Sequence, residues 1–167
     1  MMPATHAQVI HLYGVFMVAW SVLEGVIQTA IMKELQISPQ KAIIVTAGMQ
    51  FRQRVAVLCS LLKLSSPDRD AAVALLRKIE KKGKRNMLVH GHIIVGVPGQ
   101  LTFVKSSASE DTGLRTNKAS FTAAELKRHI LELKQESENL QTLLQVSDAD
   151  IQQLVDTSLA EATRSAP

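Results

Sequence analysis

Between Val9 and Ala30 apolar residues recur at three- and four-residue steps: Leu12, Val15, Phe16, Ala19, Val22, Leu23, Val26, Ile27 and Ala30. That period places one broad stripe on a helix, and it predicts a first helix from Pro3 to about Gln36. Gly14 and Gly25 weaken its propensity and are candidates for close packing against a neighbouring helix. Ser38-Pro39 reads as an N-cap followed by proline at the first helical position. It opens a second helix expected to run to about Leu64. Ser66-Pro67-Asp68 repeats the signal, with an acid complementing the helix dipole. The third helix then turns Ala72, Leu75, Leu76 and Ile79 inward. We expect it to continue across Gly83 to His90 with a local distortion, the alternative being a break and restart at Gly83.

From His92 the period shortens. His92 to Val97, then Pro98-Gly99-Gln100, then Leu101 to Val104 predicts a β-hairpin over 92–104 with a tight turn. The Ser, Asp, Thr, Gly and Lys content of 105–119 predicts a loop. Thr122-Ala-Ala-Glu125 is a capping box. It opens a long helix in which Leu126, Ile130, Leu133, Leu140 and Leu144 follow steps of four and three, Ser137 filling the gap. This stripe suits packing on the body or a short coiled-coil seam with a second copy. Ser147-Asp148 caps a further turn, and the tail from Ala162 to Pro167 is expected to fray. No internal repeat is visible.

A chain of 167 residues, 46% hydrophobic and 20% charged, suits one folded domain over 1–167, its core at about 5–146. Aromatics make up only 4%. That composition favours an all-α bundle filled by aliphatic side chains over a sandwich. Met17, Met32, Met49 and Met87 read as core filler. The single cysteine, Cys59, lies in an apolar run and reads as a core residue in a reducing compartment. No signal-peptide layout is present, and Leu12 to Leu23 is too short to cross about 30 Å of hydrocarbon. A cytoplasmic protein with no membrane contact is expected.

The net charge of +4 is concentrated. Arg77, Lys78, Lys81, Lys82, Lys84 and Arg85 crowd together with Glu80 opposing them, a run suited to phosphate or to a solvated helix face. It leads into Arg85-Asn86-Met87-Leu88-Val89-His90. On a helix, Asn86 and His90 share a face. Arg85 stands about 140° away, within reach of its long stem. The guanidinium fork matches a phosphate and stabilises charge in a transition state. The imidazole is able to take a proton from a ribose 2′-hydroxyl or give one to the leaving oxygen. That route needs no metal and no cofactor.

This segment resembles the R-x4-6-H motif of the HEPN superfamily in its Arg-Asn-x-x-x-His form. The resemblance implies an up-and-down four-helix bundle, here with the hairpin at 92–104 inserted. It also implies a metal-independent endoribonuclease, often a toxin or abortive-infection effector, that dimerises so that both motifs share a cleft. Arg85 and His90 would be the catalytic pair, and Asn86 the adjacent polar position. Glu24, in Trp20-Ser-Val-Leu-Glu24, resembles the acidic residue of an early helix that orients the arginine. Lys81, Lys82 and Lys84 would draw in RNA by charge. A second copy, RNA and a cognate antitoxin or regulatory protein are the implied partners.

Other readings stand beside this one. His90 suits a structural histidine beneath the hairpin. Glu24, a carboxylate in an apolar helix, needs a cation, for which Arg52 and Arg54 rival Arg85. His90-Gly91-His92 falls short of a zinc set without nearby cysteine or acid, and Gly91 reads as a helix C-cap. The runner-up function is a non-catalytic helical module that dimerises and binds RNA or protein. A DNA-binding regulator is weaker, since no helix-turn-helix spacing surrounds the basic run.

Overall fold

The computed structural model describes residues 5–65, 67–81, 85–94, 97–109 and 113–164. Among these residues the protein is mostly helical, with one small antiparallel sheet. The helices are α1 (His6–Leu35), α2 (Pro39–Ala47), α3 (Phe51–Ser65), α4 (Asp70–Lys81), α5 (Arg85–His90), α6 (Ala123–Leu144) and α7 (Asp148–Arg164). The strands are β1 (His92–Ile94), β2 (Gln100–Ser109) and β3 (Gly113–Thr122), in the order β1-β2-β3. The chain divides into two compact units, each built from separated segments: 1–20 with 82–133, and 21–81 with 134–167.

The second unit is helical. Leu23, Val26, Ile27, Ala30 and Ile31 of α1 are buried, as are Val55, Leu58, Cys59 and Leu62 of α3 and Leu76 and Ile79 of α4. Each of the Val, Leu and Ile side chains among them stabilises the fold by about 1.5–3 kcal/mol relative to exposure. Ser38 is the N-cap of α2, its hydroxyl accepting from the Lys41 amide at 3.4 Å. α2 seats on α7, where Met32, Ala42 and Leu154 form a small apolar cluster with Ile37 and Ile43. Gly25 stands against Ile151 at ordinary contact distance, whereas a Cβ at Gly14 would meet nothing.

The single helix expected over 39–64 is two. Buried positions step from Ala42 to Thr46, then slip by five to Phe51 before resuming at Val55, Leu58 and Leu62. One continuous helix would lose its inward face at that slip. Instead Met49 N–H closes α2 on the Thr46 carbonyl at 3.0 Å, and Gln50 starts α3, its amide donating to Gln53 Oε1 at 2.8 Å. A 3-10 turn over Pro67–Arg69 leads into α4. The expected continuation through Gly83 falls on 82–84, outside the described residues. α7 is longer than the single turn expected, running to Arg164.

The first unit holds the sheet. Pro98-Gly99 makes the turn between β1 and β2. Gly99 has φ 80° and Gln100 N–H returns to the Val97 carbonyl at 3.2 Å, the glycine-requiring geometry of a type II turn. The hairpin is in register as His92↔Val104 and Ile94↔Thr102. Of residues 105–119, expected as a loop, 105–109 and 113–119 are strand instead: β2 continues to Ser109, and β3 returns from Gly113 with Lys105↔Asn117 and Ser107↔Arg115 in register. Thr102–Ser120 and Ser106–Thr116 hydroxyl pairs, at 2.8 and 3.1 Å, lock that ladder. Thr122 and Glu125 form the capping box, the Thr122 amide donating to the carboxylate at 2.9 Å and the Glu125 amide to the Thr122 hydroxyl at 3.3 Å.

Leu126, Ile130 and Leu133 of the α6 stripe are buried in this chain, as are Ser137, Leu140 and Leu144 beyond. Of the two uses foreseen for the stripe, packing within the chain is the one observed. α1 is long and apolar enough to cross a membrane, although more than half of its most apolar window is buried inside the protein. The six aromatic residues are unevenly spread: Tyr13, Phe16, Trp20, Phe103 and Phe121 lie in the first unit and Phe51 alone in the second.

Candidate functional site

The segment Arg85–His90 forms α5, a helix of its own, and it seats against β2 within the first unit. Its apolar residues fix it: Leu88 is 1% exposed, with Met87 and Val89 half-buried beside it. The last carbonyls of a helix lack internal partners, and two of them are satisfied here. The Tyr13 hydroxyl donates to Leu88 O at 2.8 Å, and Gly91 N–H donates to Met87 O at 2.9 Å. Tyr13 also stacks obliquely on Phe103, ring centroids 5.4 Å apart. Burial pushes its phenol pKa upward, so the proton needed for that bond is retained.

Gly91 ends α5, as expected of it, and its lack of a side chain is a steric requirement. A Cβ there would collide with the Met87 carbonyl and press on Phe103 Cβ at 3.2 Å. This close approach lets the chain pass from α5 into β1 within one residue. Phe103 meets Phe121 edge-on at 5.7 Å, and Phe121 meets His129 in the same manner at 6.0 Å. An aromatic row therefore braces the sheet between α1 and α6.

His90 is exposed at the end of α5, as is His92 two residues on. The side chains of Arg85 and Asn86, and the whole of Lys82 and Lys84, lie outside the described residues. Whether guanidinium, amide and imidazole converge therefore rests on the helical spacing. Glu24 stands half-buried on α1, and the pairing with Arg85 expected of it involves an undescribed side chain. Of the rival cations, Arg52 is bonded to Glu80 at 3.0 Å, and Arg54 has a buried Nε with no hydrogen-bond partner among the described residues.

The basic run is partly neutralised. Arg77 bonds to Glu80 at 2.7 Å, and Lys78 lies 3.5 Å from the buried Glu136. Arg77 above all, with Arg52, holds the Glu80 carboxyl below the usual carboxylate range. Lys81 is exposed at the end of α4. Among the described residues no three His, Cys, Asp or Glu side chains gather where a metal ion could sit.

Sequence reasoning missed Tyr13, whose signal was the chain's single phenol beside the apolar stripe of α1. It also missed Lys105, Arg115 and Lys118, because the strands bearing them read as loop. No family model, curated protein or solved structure matches this chain.

Proposed function

We propose that this protein is a metal-independent endoribonuclease of the HEPN type, acting in the cytoplasm as a homodimer, with Arg85 and His90 as catalytic residues and Asn86 beside them. A toxin or phage-defence role fits this reading, with an antitoxin-like partner. The supporting observation is the exposed imidazole of His90 at the end of a helix clamped by Leu88, Tyr13 and Gly91. A fixed base that solvent reaches is what proton transfer from a 2′-hydroxyl requires. Arg85 supplies the charge that stabilises the phosphorane, and Lys81, Lys82 and Lys84 attract the strand. Glu24 orients Arg85. The mostly helical architecture is compatible with the family's four-helix bundle, the sheet being an addition to it.

The test is cleavage of mixed-sequence RNA in excess chelator by wild type, Arg85→Ala and His90→Ala. Cleavage by wild type that drops by about 100-fold or more in both variants supports the reading, as expected when a general base or a charge-stabilising donor is removed. Equal rates in all three end it. Absence of cleavage together with tight RNA or protein binding would favour the non-catalytic module.

A further inference from the structure

Beyond the row His92–Val104–Lys118, β2 and β3 continue as a two-stranded ribbon. Successive strand residues face opposite ways and paired residues share a face. The face that buries Leu101, Phe103 and Phe121 therefore continues outward as Lys105 with Asn117, then Ser107 with Arg115. The opposite face carries Ser106 with Thr116, next to Lys118, and then the exposed Leu114. Ser106, Ser107, Arg115, Thr116, Asn117 and Lys118 are all exposed. This outer ribbon leaves Leu114 in solvent and is otherwise polar at its exposed positions, so the hydrophobic effect does not select it.

Its charges among the described residues are of one sign. The three strands carry Lys105, Arg115 and Lys118 and no carboxylate; the acids Glu110 and Asp111 belong to the connection, outside the described residues. Cations among hydroxyls and a side-chain amide are the donors that contact phosphate and sugar. Phe103 and Phe121 are buried, so the strands offer no aromatic platform for bases. The ribbon springs from the sheet on which α5 is seated, with Gly91 against Phe103.

We infer that the β2–β3 ribbon, through Lys105, Arg115 and Lys118, holds the sugar-phosphate backbone of single-stranded RNA without reading its sequence. The inference takes RNA as the polyanion from the ribonuclease reading. A single strand is named because the deep, narrow major groove of A-form RNA does not admit such a ribbon, and equal affinity for a duplex of the same length, held across its shallow minor groove, would overturn that choice. An acidic peptide added along β3 would pair with that strand alone. Lys105 lies one strand further in, about 5 Å beyond β3. A phosphodiester chain crossing the face meets Lys105 and Arg115, and passing over the open β3 edge it reaches Lys118 on the opposite face.

The test uses the full chain carrying His90→Ala, so that bound RNA stays intact, and a labelled single-stranded RNA oligonucleotide of mixed sequence. Anisotropy is read across a salt series in chelator. Replacing Lys105, Arg115 and Lys118 together by Gln should weaken binding at least about tenfold and lower the slope of log affinity against log salt by about 2. A control with Lys41, Lys63 and Lys134 replaced by Gln removes the same charge from other exposed positions; it should stay within about twofold of the parent if location matters beyond net charge. Circular dichroism confirms that both variants fold, and Lys118→Gln alone gives a milder step in the same direction.

Unchanged affinity and slope in the ribbon variant overturn the inference, as does an equal loss in the control. So does a ribbon variant that loses self-association or acidic-peptide binding while keeping its RNA affinity. Cleavage by the wild-type protein is scored separately. RNA bound through the ribbon but never cut removes the nuclease and leaves the ribbon; RNA cut by a protein whose ribbon variant binds normally does the reverse.

Discussion

The Tyr13 hydroxyl donates to the Leu88 carbonyl at 2.8 Å, joining α1 to α5 across 75 positions of sequence. Tyr13→Phe keeps the ring against Phe103 and removes only that bond. The expected loss is about 1 kcal/mol, the typical net worth of one intramolecular hydrogen bond. A urea titration reads it as a lower midpoint at constant slope, and exchange of the Gly91 amide should quicken if α5 loosens. An unmoved midpoint with unmoved exchange would remove Tyr13 from the clamp.

Gly91→Ala forces a Cβ onto the Met87 carbonyl and Phe103. Neither the backbone nor the core ring yields cheaply, so a destabilisation of about 1–3 kcal/mol is expected, as for other overpacked sites. Thermal melting should fall by several degrees. A melting point equal to wild type would show that the junction has more room than this geometry allows.

Thr29 is fully buried on α1, and its hydroxyl has no hydrogen-bond partner among the described residues. Thr29→Val preserves shape and removes the desolvated group. It should stabilise the protein by about 1 kcal/mol, since an unpaired buried hydroxyl costs roughly that much or more. Denaturant titration decides the sign, and a destabilised variant would reveal an unseen partner for the hydroxyl.

Asp150 caps α7 and is held at a pKa of about 2, below its ordinary 3.8, chiefly by the Ser147 amide, then by the Ser147 hydroxyl and Lys33. A depressed carboxylate contributes stability that is fully present above its unfolded value and is lost as pH falls through its folded value. Stability measured from pH 4 down to 2 should therefore decline more steeply in wild type than in Asp150→Asn. Parallel curves would show that the cap carries no proton linkage.

Local signals were legible in the sequence where local chemistry decides. Ser38, the Thr122–Glu125 box and the Ser147 cap all sit where a side-chain oxygen meets an orphan amide three residues on. The stripe from Leu126 to Leu144 was readable for the same reason, its period belonging to one helix. What escaped depends on distant partners. β3 shows no apolar alternation, because its outer half buries nothing and is specified by registry with β2. The split after Ala47 was written as a five-residue slip in buried positions, from Thr46 to Phe51, which shows only once burial is known. The candidate site was legible as spacing alone; the clamp that fixes α5 comes from Tyr13, far away in the chain, and from Phe103 across the hairpin.

Tyr13 and Trp20 are the chain's sole tyrosine and tryptophan, and both belong to the sheet-bearing unit. Intrinsic fluorescence consequently reports mainly on that unit and on the middle of α1, where Trp20 is the unit's last residue before the other begins. Far-ultraviolet dichroism is weighted the opposite way. The pair of optical signals thus offers a label-free view of whether the units melt together: superimposable curves mean one cooperative transition, and separated curves mean two.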